Sequence, residues 1–305
     1  MDSIVFTVVI PAYNRESEIS RAINSVLQQS FQNFEIIVVD DGSKDNTPKV
    51  VETYTDPRIR LIRQENAGAT VARNTGIINA KGTFVSFLDS DDEWLPTMLE
   101  KQKMVYDKNS LIGCVYSSVV IMSDIRGKTK PFGRKFGVEG EAYKDVLKQG
   151  YLAPTTVLSA KKDLLLRVGL FDVSLPASQD DDICFKLAKN TVIGYIPECL
   201  AIMHSGTDNR ISKNRMKVAL GWWMLWNKYE ADVVELCGYS IMAKHYYDCA
   251  IHFAEAGSLE YLENAMSKIL FSERTFSLIK KKLLYVLVKS SGLKKRVVHK
   301  ILRII

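Results

Sequence analysis

Apolar and polar positions alternate in blocks along the first hundred residues. Short apolar runs at Val5–Ile10, Phe34–Val39, Ile59–Ile62 and Phe84–Leu88 are separated by stretches of helical periodicity, from about Glu16 to Gln29, from about Asn46, and from about Ala67 to Asn79. Runs that are apolar throughout suit strands covered on both faces, so the alternation predicts a βαβαβα array around a mostly parallel sheet. In the first helical stretch Ile19, Ile23, Val26 and Leu27 recur at a spacing that makes one buried stripe, with Arg15, Glu18 and Arg21 on its polar side.

Beyond Trp94-Leu95-Pro96 the pattern predicts a helix to about Lys108, then one or two strands in Leu111–Met122. Residues 123–141, rich in Gly, Lys, Arg and Ser around Pro131, read as a mobile excursion that could act as a lid. A second ordered stretch follows: a strand at Thr155–Ser159, helices at Lys161–Val168 and Asp180–Lys189, and a strand at Val192–Ile196. From about Ser212 onward only helical periodicity remains, with Trp222, Trp223 and Trp226 grouped. There is no internal repeat.

The chain has 305 residues, 47% hydrophobic and 25% charged, which excludes disordered, collagen-like and coiled-coil classes and leaves room for one large α/β domain with an appendage. The net charge of +6 is concentrated at one end. Residues 274–305 hold ten of the 41 Lys and Arg and no acid, leaving 31 basic against 35 acidic groups in the rest. No apolar run reaches 18 residues, and Asp2 stands where a signal peptide would be positive, so a cytoplasmic protein is expected. The cysteines Cys114, Cys184, Cys199, Cys237 and Cys249 are odd in number and widely spaced, which points to reduced, mostly buried thiols rather than disulfides or zinc.

Ligands of open α/β sheets bind at the carboxyl ends of strands. Here three strands run into Pro11-Ala12-Tyr13-Asn14, Asp40-Asp41-Gly42-Ser43 and Asp89-Ser90-Asp91-Asp92. Short right-handed crossovers would bring these ends to one sheet edge, gathering five carboxylates. Such a cluster repels itself unless hydrogen-bond donors or a cation compensate it. A hard divalent ion, Mg²⁺ or Mn²⁺, bridging carboxylates to phosphate oxygens is the simplest remedy and predicts a nucleotide diphosphate; a turn role for Asp40–Ser43 is the plain alternative. Neither G-x-G-x-x-G nor G-x-x-x-x-G-K-[ST] occurs, so the phosphates would be held through metal.

Thr7-Val8-Val9-Ile10-Pro11-Ala12-Tyr13-Asn14, Phe34 to Ser43, Ala72-Arg73-Asn74-Thr75-Gly76 and Phe87-Leu88-Asp89-Ser90-Asp91-Asp92 together resemble the family 2 glycosyltransferases of GT-A fold. The resemblance is dense over residues 6–100, thinner over 153–205, and absent beyond 210. It implies a Rossmann-like α/β domain over 1–210, with a donor half to about 110 and an acceptor half from about 111, followed by a helical region over 211–305. It also implies metal-dependent, inverting transfer of a hexosyl or N-acetylhexosaminyl group from a nucleotide diphosphate donor, most often a UDP-sugar, to a hydroxyl. By resemblance the loop of Pro11 and Tyr13 and the carboxylate of Asp41 hold uracil and ribose, with Ala12, Asn14, Asp40 and Ser90 as further donor-binding candidates, and Asp89 and Asp91 touch ribose and bind the metal, with Asp92 adjoining. Arg73 could approach the donor phosphates or sugar, or be a solvated helix residue.

Single-displacement chemistry needs a carboxylate to take the acceptor proton, a contribution of about 10²- to 10⁴-fold in rate. Ser178-Gln179-Asp180-Asp181-Asp182 resembles the family's acidic pair at a helix start and puts the base on Asp180, although Gln179 and Asp181 depart from the usual pattern. Helical neighbours diverge by about 100°, so the three acids cannot all face one acceptor. Ser178 and Asp181 also fit a helix cap. His204, after the last strand, resembles the late histidine that GT-A enzymes place beside the metal. His245 and His252 flank Asp248 at helical spacing without a supporting cluster.

In 293–305, Leu293, Val297, Ile301 and Ile304 form one stripe amid Lys295, Arg296, His299, Lys300 and Arg303. With the rest of 275–305 this basic amphipathic segment could contact the inner face of an anionic membrane and meet a lipid-linked acceptor, or pack internally. Nucleic-acid binding is not expected, because the basic groups lack interleaved aromatics. Without spanning helices or a Q-x-x-R-W motif, the reading is a non-processive transferase in surface-polysaccharide synthesis. The alternative is a non-catalytic nucleotide-sugar-binding protein with a helical partner or membrane platform.

Overall fold

The computed structural model describes residues 3–123, 129–132, 137–205 and 214–269. Two compact units emerge: one of Met1–Val146, Tyr151–Val173 and Asp180–Asp208, the other of Leu147–Gly150, Ser174–Gln179 and Asn209–Ile305.

The first unit is built on β1 (Phe6–Ala12), α1 (Ile19–Leu27), β2 (Phe34–Asp40), α2 (Thr47–Glu52), β3 (Ile59–Arg63), α3 (Ala69–Asn79) and β4 (Phe84–Phe87). Every residue of β1, β2 and β4 is buried, as a sheet covered on both faces requires. These strands are parallel, with Ala12 opposite Asp40 and Val9 opposite Phe87, so their carboxyl ends share one edge. The helices close tightly on them. A Cβ on Gly76 of α3 would overlap the Val9 side chain, which is why the smallest residue stands there.

The second half adds β5 (Glu93–Trp94), α4 (Met98–Lys108), β6 (Ile112–Ser123), β7 (Thr129–Phe132), α5 (Tyr143–Gln149), the 3₁₀ turn Thr155–Val157, β8 (Leu158–Lys161), α6 (Lys162–Arg167), α7 (Gln179–Asn190) and β9 (Val192–Ser205). The sheet order is β3-β2-β1-β4-β8-β6-β9-β5, with β7 on β6. β8 runs antiparallel to both β4 and β6, and β5 antiparallel to β9, so the sheet is parallel at one side and mixed at the other.

Several elements differ from the sequence expectation. The 111–122 run, expected as one or two strands, is one, whereas the last strand continues nine residues past the expected end at Ile196. Pro197 hid that continuation: pairing passes from Ser117↔Ile196 to Ser118↔Cys199, an irregularity that lets a residue without N–H sit in a strand. The expected strand at Thr155 begins as a 3₁₀ turn, and β5 and α5 are too short for periodicity to reveal. Within the expected excursion, Thr129–Phe132 pairs with β6 and Gly140 bridges Ile193; 124–128 and 133–136 lie outside the described residues. None of the five cysteines is in a disulfide, and Cys114, Cys184 and Cys249 are buried.

The second unit contains α8 (Arg215–Cys237), α9 (Tyr239–Ala256) and α10 (Leu259–Ile269). The Asn214 side chain caps α8 by accepting from Lys217 N at 3.0 Å. Trp226 is fully buried and stacks on His245 with centroids 3.6 Å apart, and His245 Nε2 donates to the Leu147 carbonyl at 2.8 Å. His245 is thus a buried structural residue. No described helix is long and apolar enough to cross a membrane, and the basic tail of 275–305 lies outside the described residues.

Burial holds His245 neutral and lowers its pKa to about 4. The unfolded chain therefore takes up a proton that the folded one declines, and stability present above pH about 6.5 is lost as pH falls toward 4. His245→Phe is expected to lower stability near neutrality by about 1–2 kcal/mol through the lost hydrogen bond, yet to flatten the fall in melting temperature between those pH values. Thermal unfolding followed across that range checks it.

Candidate active site

The end of β2 carries two buried carboxylates, both engaged with the chain itself. Asp40 accepts from Ser43 N and from Arg63 Nε, each at 3.3 Å. Asp41 accepts from Gln64 Nε2 at 2.8 Å, Ala67 N at 2.9 Å and Gly68 N at 2.8 Å. Gly68 has φ +94°, a conformation that strongly favours glycine, and opens α3 with its N–H aimed at Asp41. Asp41 thereby fixes where α3 starts, and α3 carries Arg73. Here the donors that compensate Asp40 and Asp41 are backbone amides, glutamine and arginine.

Pro11 and Ala12, expected to contact a nucleotide, are buried strand residues, with the Ala12 carbonyl accepting from Asp41 N at 2.8 Å. Tyr13 exposes 38% of its surface. Asn14 takes a left-handed φ of 51° and ties the β1 loop to the β2 loop: its N–H donates to Ser43 Oγ at 2.9 Å and its Oδ1 accepts from Lys44 N at 2.8 Å.

The loop after β4 forms a second group. Arg73 Nη2 donates to Asp89 Oδ1 at 2.6 Å, and its Nη1 lies 3.9 Å from Asp180 Oδ1. Arg73 is 8% exposed rather than solvated. Burial opposes its charge, but Asp89, Asp180 and Asp91 outweigh it and hold its pKa above the ordinary value. Burial pushes Asp89 up despite Arg73, with Asp180 and Asp91 adding to the shift. Asp92, 1% exposed, is pushed up to about 8 by burial and then by Asp89 and Asp91, against the His204 N–H and the Thr156 hydroxyl. Ser90 is buried between them in sequence.

Two further arginines reach this loop. Arg15 Nη2 stands 3.8 Å from Asp91 Oδ2, and Arg21 Nη2 donates to the Asp91 carbonyl at 2.5 Å. Their spacing puts both on the polar side of the first helical stretch, and their nearness to Asp91 is a product of tertiary packing. His204 N donates to Asp92 Oδ1 at 3.1 Å, and its Nε2 lies 2.8 Å from Glu93 Oε1. Of the three acids opening α7, Asp180 has a side chain 39% exposed, Asp181 is 8% exposed, and Asp182 is fully buried with Lys186 Nζ at 2.9 Å. Ser178 takes φ 62°, away from the extended backbone of an ordinary helix cap.

The structure therefore brings Asp89, Asp91 and Asp180 into electrostatic reach of Arg73, sets Asp92 within reach of Asp89 and Asp91 and Arg15 near Asp91, and engages Asp40 and Asp41 in a separate hydrogen-bonded frame. Clustered oxygen donors suit a hard divalent cation, and Asp92, raised first by burial, is raised further by the charges of Asp89 and Asp91. Among the described residues, however, no three His, Cys, Asp or Glu side chains are already gathered closely enough to hold one.

A parallel sheet with this edge, extended by a mixed half, defines the GT-A class of α/β proteins. The chain belongs to glycosyl transferase family 2, whose family model matches residues 7–162. It is 32% identical over 229 residues to the putative teichuronic acid biosynthesis glycosyltransferase TuaG of Bacillus subtilis, a match spanning 73% of this chain and 88% of that protein. It is 42% identical over 125 residues to WfgD of Escherichia coli, a UDP-Glc:alpha-D-GlcNAc-diphosphoundecaprenol beta-1,3-glucosyltransferase, spanning 41% of this chain and about half, 49%, of that one. Among solved structures, S. aureus TarS 1-349 in complex with UDP-GlcNAc superposes with a TM-score of 0.63 at 18% identity, covering 93% of this chain and 90% of TarS 1-349. The mannosyltransferase PcManGT from Pyrobaculum calidifontis, in complex with GDP-Man and Mn²⁺, gives 0.56 at 18% identity over 95% and 88%. These two likenesses establish the fold.

Replacing Asp41 by Ala would orphan two backbone N–H groups and the Gln64 amide. The expected cost is about 2 kcal/mol or more, read as a lower melting temperature with native far-UV circular dichroism.

Proposed function

We propose that this chain is an inverting, non-processive glycosyltransferase that moves a sugar from a UDP-sugar to a hydroxyl of a saccharide or lipid-linked acceptor in surface-polysaccharide synthesis. One observation carries the reading: Arg73 lies between Asp89, on the loop after β4, and Asp180, the most exposed acid of the α7 opening. In this reading a donor-side loop and an acceptor-side helix meet at one guanidinium. Similarity to TuaG, a putative teichuronic acid biosynthesis glycosyltransferase, supports the class of product, and similarity to WfgD, which acts on GlcNAc-diphosphoundecaprenol, supports a lipid-linked acceptor.

In this reading the exposed Tyr13 and the frame of Asn14, Asp40 and Asp41 receive the nucleoside, with Pro11 and Ala12 shaping the floor through their backbone. Asp89 and Ser90 stand next along the edge. Asp91, with Asp89, Asp92 and His204, would hold a divalent cation, which when bound neutralises charge on the leaving diphosphate. Arg73 and Arg15 add fixed positive charge where that diphosphate would lie. Asp180, solvent-accessible and steered by Arg73, takes the proton of the attacking hydroxyl; Asp181 and Asp182 are too buried to reach an acceptor. The division into a transferase domain over 1–210 and a helical region over 211–305, and membrane contact through the tail, complete the proposal.

Release of UDP from a panel of UDP-sugars with Mn²⁺ tests it, together with the anomeric configuration of the product by proton NMR. Asp180→Asn is expected to lower kcat by about 10²- to 10⁴-fold with the donor KM little changed. Asp91→Ala should remove most of the metal-dependent thermal stabilisation by UDP. Binding of UDP without turnover by the wild type across the panel would refute catalysis.

A further inference from the structure

Arg73 and Asp180 belong to different helices, and neither helix by itself explains their meeting. The link is the turn Gly169-Leu170-Phe171 between α6 and α7. Leu170 has φ 62°, an unfavourable conformation for a leucine, so this turn persists only because its surroundings hold it. They hold it from two sides. Asn74 of α3, the residue after Arg73, makes both hydrogen bonds of a clamp on Phe171: Nδ2 donates to the Phe171 carbonyl at 2.9 Å, and Oδ1 accepts from Phe171 N at 3.0 Å. From α7, Lys186 donates to the Leu170 carbonyl at 2.8 Å while its Nζ lies 2.9 Å from Asp182.

The clamp places a ring beneath the guanidinium. Phe171, 2% exposed, meets Phe87 of β4 edge-on at 5.3 Å, and Arg73 Cζ stands 5.8 Å from the Phe171 centroid. Arg73 Nε is buried with no hydrogen-bond partner among the described residues, so its plane is set by the two carboxylates on its Nη atoms and by this aromatic support.

We propose that Asn74, Phe171 and Lys186 are positioning residues: through the strained 169–171 turn they tie α3 to α7 and so fix Arg73 against Asp89 and Asp180. The inference rests on the transferase reading for its catalytic consequence, and on geometry alone for its structural one. Misplacement of a reacting group by about 1 Å can cost roughly 100-fold in rate. Loosening the turn should therefore act on kcat more than on donor binding.

The test uses the full chain with Asn74→Ala, Lys186→Met, Lys186→Arg and Phe171→Leu. Expected for Asn74→Ala and Lys186→Met are kcat losses of about tenfold or more, with the donor KM and the UDP affinity from titration calorimetry changed less than about threefold. Lys186→Arg, which keeps a donor, should recover most of the rate. Exchange of the Arg73 Hε with water, followed by NMR of guanidinium-labelled protein, should quicken in Asn74→Ala and Phe171→Leu. Wild-type kcat and wild-type exchange in folded variants would overturn the proposal. So would losses of kcat, UDP affinity and melting temperature in proportion, which describe a purely structural role. If Asn74→Ala does not fold, Lys186→Met and Phe171→Leu decide by the same criteria. If the wild type turns over no sugar donor, the transferase reading fails, and Arg73 Hε exchange with UDP titration still decides whether the turn positions Arg73.

Discussion

A buried guanidinium among carboxylates is the constraint on which the site depends. Parallel strands ending in acidic loops crowd negative charge at one edge of the sheet, and burial makes that charge costly. Arg73 offsets part of it from inside the fold, bonded to Asp89 and facing Asp180. Removing either partner of such an arrangement strands a charge in a poorly solvated place, so the loop after β4, the start of α7 and helix α3 are bound to one another energetically.

The carboxylates divide into two physical kinds. Asp40 and Asp41 spend their oxygens on donors of the protein and build the frame that starts α3. Asp89 and Asp92 are pushed upward first by burial and then by neighbouring carboxylates, Asp180 and Asp91 for Asp89 and Asp89 and Asp91 for Asp92, and that crowding is what a bound cation would relieve. The same residue type thus serves architecture in one loop and charge storage in the next, and only the surroundings distinguish them. A comparable contrast separates the histidines: His245 is sealed against Trp226 in the second unit, whereas His204 stands at the end of β9 with Glu93.

The alternating apolar runs, the four motifs and the acids at strand ends were legible because strand burial, helical period and turn chemistry are local properties of the chain. From these came the α/β class, the family resemblance and the residues named at the sheet edge. The antiparallel insertion of β8, the continuation of β9 past Pro197 and the two-residue β5 were not legible, since each is decided by a neighbouring strand rather than by its own pattern.

Sequence by itself determined which residue types stand at the ends of which strands, and therefore that opposite charge had to be found for them. Tertiary structure alone decided where that charge came from. Arg15 and Arg21 read only as the polar face of the first helix because helical spacing says which residues share a face, and nothing about which loop that face meets. The pairing of Asn74 with Phe171, 97 residues apart, is likewise a product of packing, in which a strained turn is held by partners that no local pattern could name.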